Sequence, residues 1–138
     1  LNNVANQVHV DFRSEEPIYL QIARQIEEMV AGGILKVGDQ LPTVREMATE
    51  LSINFNTVAR AYRLLDESRI ISTQRGRGTY IWEKPSDESR HVLKEAALEN
   101  LLIDMINEIK RRGYSREEVM DALHRIQIGN THEEEEKK

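Results

Sequence analysis

Apolar residues recur along this chain at two periods, and the change from one to the other divides it into segments. Ile18, Ile22, Ile26 and Met29 fall four, four and three apart, one face of a helix that Pro17 opens and Gly32-Gly33 ends. Ahead of it, Val8, Val10 and Phe12 alternate, which fits a short strand. Ile34 to Gln40 reads as a connector with a turn at Gly38-Asp39. Two brief helices follow. Thr43-Val44-Arg45-Glu46 has capping-box spacing, and Val44, Met47, Ala48 and Leu51 give the first its buried stripe. After a tight turn at Ser52-Ile53, Asn54 caps a second helix that buries Val58, Ala61, Tyr62 and Leu65.

Beyond Arg69 the period becomes alternating. Ile71-Ser72-Thr73 and Thr79-Tyr80-Ile81-Trp82 flank Arg75-Gly76-Arg77-Gly78, which predicts a hairpin with a glycine-bearing tip. A Pro-Ser-Asp stretch from Pro85 marks a linker, and the rest is helical. Val92, Leu93, Ala96, Ala97, Leu98, Leu101, Leu102, Ile103, Met105, Ile106 and Ile109 cover more than one stripe, so burial on two sides is expected. Lys110-Arg111-Arg112 and Gly113 suit the end of that helix. Ser115 and Glu118 form a second capping box, opening a helix faced by Val119, Met120, Leu123 and Ile126.

The fold class expected is mainly α with a small β-hairpin wing: a winged helix-turn-helix over residues 1–84, its core from Pro17 to Trp82, then a two-helix dimerisation segment over 85–130. Residues 131–138, with the acidic run Glu133 to Glu136, are expected to form a disordered tail.

Composition narrows the function. Thirty-nine per cent apolar and 31% charged residues fit a soluble chain of 138 residues, and no apolar run reaches the length of a membrane span. No secretory pattern is visible at the N-terminus, so cytoplasmic residence is the expectation. Without cysteine, thiol chemistry and thiolate metal sites are excluded. The net charge of −5 argues against nucleic acid only until its distribution is examined. Between Thr43 and Trp82 six Arg face four acids, a local net of +2, while the acid gathers toward the C-terminus.

Two short helices joined by about three residues form the supersecondary pattern that reads duplex DNA. At 100° per residue, Asn56, Arg60, Arg63 and Glu67 point away from the buried positions of the helix after Asn54, so the segment Asn54 to Arg63 is expected in the major groove. Arg donates two parallel bonds to guanine, and Asn pairs with adenine or holds a phosphate. Charges alone would favour a plain solvated face; the preceding turn and following hairpin reverse that preference. Arg45 is placed to touch the DNA backbone, ahead of a surface ion pair with Glu46 or Glu50. Thr57 either bonds phosphate or completes the helix start. Gly76 and Gly78 permit positive φ, and Arg77 between them is placed to enter a minor groove.

These residues carry a resemblance. Pro17 to Ile22, Gly38 to Ala48, Asn56 to Tyr62 and Arg75 to Thr79 together resemble the N-terminal domain of GntR-family bacterial transcription regulators, over about half the chain. The short two-helix remainder is similar to the YtrA-type branch. The resemblance implies a homodimer bound to a palindromic operator, repression, and control of transporter genes. It implies DNA contact by Arg45, Asn56, Thr57, Arg60 and the wing Gly76 to Thr79, to which Asn54, Arg63 and Arg75 are added by position. Leu98, Leu101, Leu102, Met105, Ile106, Ile109 and Leu123 are the expected dimer contacts. Two departures stand out: Phe55 where the family often has Arg or Pro, and Ser68-Arg69 where it usually has Glu-Gly.

Other classes fare worse. His9, His91, His124 and His132 are scattered without ligand-type spacing, so neither an enzyme nor a metal site is expected. The Gly-Arg-Gly turn lacks the Lys-Ser/Thr ending of a phosphate loop. A winged helix used only for protein contact is the remaining alternative. No cofactor is expected, and no effector follows from the residues, because two helices do not readily enclose a pocket of several hundred Å3.

Overall fold

The computed structural model describes residues 4–136, with side chains as far as Gln127. Its elements are α1 (Val4–Gln7), α2 (Ile18–Ala31), β1 (Gln40–Leu41), α3 (Val44–Leu51), α4 (Phe55–Glu67), β2 (Ile71–Gln74), β3 (Gly78–Ile81), α5 (Asp87–Arg111) and α6 (Arg116–Glu136). The fold is mostly helical with a small antiparallel sheet. It divides into two compact units, residues 1–100 and 101–138, and the division falls inside α5 rather than at the Pro85 linker.

In the first unit α2, α3 and β2 all pack against α4. Ile22, Ile26, Met47, Val58, Leu65, Ile70, Ile71 and Ile81 are fully buried between them. Val92, Leu93, Ala96 and Ala97 of α5 lie half-buried against the same core. The helix starts follow the sequence. Thr43 Oγ1 accepts from Glu46 N at 3.1 Å while Thr43 N donates to Glu46 Oε2, closing the capping box. Asn54 Oδ1 accepts from Asn56 N at 2.8 Å. Ser86 and Ser89 each accept from the other's backbone N–H at the start of α5.

Three segments differ from the sequence reading. Residues 8–12 form no strand. Instead α2 side chains satisfy their backbone: Gln25 pairs with both the N–H and C=O of His9, and Gln21 does the same for Asp11, at 2.8–2.9 Å. Two glutamines four apart on a helix thus serve as a partner edge, burying Val8 and leaving Phe12 exposed. The presumed connector contributes β1, which pairs with β3 through Gln40↔Tyr80 and Leu41↔Thr79 and makes the sheet order β1-β3-β2. Two residues are too few for alternation to register. Finally, α6 runs to Glu136, into the stretch read as a tail; Glu is a good helix former, and neither Pro nor Gly follows Gly129. Residues 137 and 138 lie outside the described residues.

Arg69 explains the unusual end of α4. Arg69 N donates to Asp66 O and Ile70 N to Leu65 O, a Schellman arrangement in which Arg69 takes φ +65°. A glycine would adopt that geometry freely; here an exposed Arg69–Glu83 ion pair at 3.0 Å accompanies it.

Within the second unit, Gly113 at φ +87° turns the chain between α5 and α6. Ser115 and Glu118 form their capping box at 3.2 Å in both directions. Leu101, Leu102, Met105, Ile106 and Leu123 are each roughly half exposed (47–59%), as is Leu98 of the first unit, and Ile109 is half-buried.

Candidate nucleic-acid interface

The α3–turn–α4 pair is locked before any ligand arrives. Ser52 turns the chain at φ +54°, and Ile53 N donates back to Ala48 O. Tyr62 Oη donates to Pro42 O at 2.6 Å, tying the middle of α4 to the start of α3. Burial, aided by the nearby Glu46 carboxylate, pushes the Tyr62 phenol well above its ordinary value, so it stays a donor.

On this frame Asn56, Arg60 and Arg63 are exposed along one face of α4, Asn54 is exposed at its N-cap, and Thr57 is half-buried in its first turn. Arg45 stands exposed in the first turn of α3, its guanidinium 6.0 Å from the Phe55 ring centroid. Arg60 is differently placed: its guanidinium lies 3.9 Å above the ring of Tyr19, a cation–π stack onto α2. The Tyr19 hydroxyl in turn meets Asn100 Nδ2. Tyr19 lies within the Pro17 to Ile22 motif without a role assigned to it there, and Asn100 is marked by neither periodicity nor motif. The available signal was an aromatic next to the α2 apolar face, which alone does not name a partner.

The wing is braced from two sides. Arg77 N closes the turn to Gln74 O at 2.9 Å, and Arg77 O receives Tyr80 Oη at 2.8 Å. Gly76 has φ +77° and is exposed with Arg75 and Arg77. Gly78 has φ +114°, which strains any other residue; a Cβ there would lie 2.5 Å from Gln40 Nε2, the far end of an exposed side chain that can move aside. Thr79 sits differently from the other wing residues. It is 8% exposed, and its Oγ1 is 3.4 Å from Thr73 Oγ1 across the sheet.

Among the described residues, Arg45, Arg63, Arg75 and Arg77 are exposed and form no ion pair with a carboxylate, which leaves four guanidinium groups of α3, α4 and the wing for an anionic partner. No three His, Asp or Glu side chains gather among the described residues, and no helix there is long and apolar enough to cross a membrane.

Residues 18–81, from α2 to β3, match the model of the bacterial regulatory proteins of the gntR family. The chain is 45% identical over 100 residues to the transcriptional repressor YtrA of Bacillus subtilis, covering 70% of this chain and 77% of that one. The chain belongs to the GntR family. Its fold also matches YtrA from Sulfolobus acidocaldarius, a GntR-family transcription factor, at TM-score 0.53 and 34% identity over 88% of this chain and 97% of the other. A transcriptional antiterminator from Listeria monocytogenes gives TM-score 0.56 at 29% identity, over 86% and 88%. This GntR member is a DNA-binding transcription regulator. The matched residues contain the whole of the α3–α4 pair and the wing tip, so the family assignment and the exposed guanidinium groups concern the same surface.

Proposed function

We propose that the protein is a repressor that binds a palindromic operator as a homodimer. Asn56 and Arg60 meet base edges. Arg45, Thr57 and Arg77 position the backbone, with Asn54, Arg63, Arg75, Gly76, Gly78 and Thr79 completing the surface directly or by holding its shape. One observation carries the dimer: Leu98, Leu101, Leu102, Met105 and Ile106 expose large apolar side chains on consecutive turns of α5, and Leu123 does so on α6. Scattered apolar residues are normal on a surface, but a contiguous set of this size marks an interface, and closed two-fold pairing is the simplest way to bury it. The named YtrA relative supports repression; control of transporter genes is proposed from the resemblance to the YtrA-type branch alone.

Selection of binding sites from random duplexes tests the reading. The expected product is an inverted repeat whose half-sites lie about 34 Å apart or a multiple of that. A single, non-repeated site would overturn the dimeric reading, and no enrichment at all would overturn sequence-specific binding. Sedimentation supplies an independent check: a dimer is expected for the wild type, and Leu102→Glu with Ile106→Glu is expected to give a monomer. Deleting the gene is expected to raise transcription of the regulated genes; a fall would make it an activator.

A further inference from the structure

Phe55 is the first residue of α4 and one of the large apolar side chains the first unit leaves exposed, at 49%. Single exposed apolar residues need no explanation in general. This one is set where the N-terminal end of a recognition helix approaches base edges. It is also anchored. Asn54 caps the helix immediately before it, and the Arg45 guanidinium lies over its ring. Phe55, Ile53 and Ala48 give an apolar wall to an open cleft of about 520 Å3 whose remaining lining is Arg45, Thr49 and Ser52. An apolar wall beside a cation suits a surface that offers a methyl group next to phosphates. In the major groove the apolar feature is the thymine 5-methyl group; the other bases present only donors and acceptors there.

We infer that Phe55 reads a thymine by its 5-methyl group, one in each half-site. The inference rests on the DNA-reading function proposed above, and makes Phe55 a residue that sets operator sequence.

The test uses the full chain and the selected operator, with each thymine replaced in turn by deoxyuridine, which removes only the methyl group. One replacement per half-site is expected to weaken binding about fourfold, the factor for one buried methyl, and about fifteenfold when both half-sites are changed. Phe55→Ala is expected to bind the unmodified operator more weakly and to lose the sensitivity at that position alone, while Phe55→Leu keeps part of it. Wild-type binding that is indifferent to every replacement, with the operator still recognised, overturns the role of Phe55 and leaves the regulator reading intact. Sensitivity that survives in Phe55→Ala overturns it too, by assigning the methyl contact to another residue. Failure to enrich any duplex overturns the DNA-reading function itself. Because the replacement is made in the DNA, an indifferent wild-type scan overturns the role whether or not a variant folds, and where Phe55→Ala folds poorly the conservative Phe55→Leu assigns the contact by its reduced sensitivity at that position.

Discussion

The two units use the same apolar residue types and reach opposite outcomes. In residues 1–100, Ile22, Ile26, Met47 and Leu65 have no exposed surface, whereas in residues 101–138 Leu101, Met105, Met120 and Ile126 are each more than half exposed. Helix propensity does not separate them, since both units have capping boxes and long helices. What differs is the number of layers. The first unit packs two helices and a strand of its sheet on α4 and lays the start of α5 against the same core, so each apolar face meets another. The second has two helices and more apolar surface than two helices bury. One core is complete within the chain; the other is left uncovered, the surface on which the proposed dimer rests.

The largest test of this contrast is a pair of truncations. Ile26→Ala removes a side chain with no exposure, and is expected to cost about 3–4 kcal/mol in chemical denaturation. Leu102→Ala is expected to change monomer stability by less than about 0.5 kcal/mol while weakening the dimer about tenfold in sedimentation. Equal costs in the monomer would erase the distinction.

The two capping boxes sharpen it next. Thr43→Ala is expected to lower global stability by about 1 kcal/mol, because α3 is part of the closed core. Ser115→Ala removes the same chemistry but is expected to reduce helical signal without moving the main unfolding transition.

Smaller still are the left-handed positions. Arg69 at φ +65° carries a penalty that Gly113 at φ +87° avoids. Arg69→Gly is expected to stabilise by about 0.5–1 kcal/mol, and Gly113→Ala to destabilise by a similar amount, both by thermal melting.

The smallest effects concern pH, where the units differ in sign. Partial burial raises Glu27 above its ordinary 4.5, against the nearby Arg90. Its penalty is therefore present above the raised folded value and relieved as pH falls below 4.5. Glu27→Gln is expected to raise the melting temperature slightly at pH 7, with the gain gone at low pH. Glu108 is lowered by hydrogen bonds from Arg111 and Arg112, so its contribution is present above 4.5 and fades as pH falls through the depressed value. Glu108 lies on the surface with its side chain about half exposed, and salt is expected to remove that difference in a helix-melting series.

Much of the frame was legible because its signals are local. Thr43 with Glu46, Asn54 before Asn56, and the glycines around Arg77 each act within four residues, the range over which spacing predicts geometry. The residues 8–12 segment was misread because its partner is neither adjacent nor a strand: Gln21 and Gln25 reach it from 10 and 16 residues away. The same holds at the site. Exposure of Arg60 follows from helical periodicity, but its stack on Tyr19 joins residues from two helices that only packing brings together.

The amino-acid sequence by itself thus determined where helices begin, which face of α4 is polar, and that a tight turn and a wing flank it, since caps, periodicity and glycine are short-range properties. The tertiary structure decided what those exposed groups rest upon. It set Arg60 on Tyr19, Phe55 beside Arg45, Thr79 into the sheet, and the start of α5 against the first core while later residues of α5 and α6 stay uncovered. Those outcomes depend on contacts between segments distant in the chain, and pattern along the chain carries no record of which segments will meet.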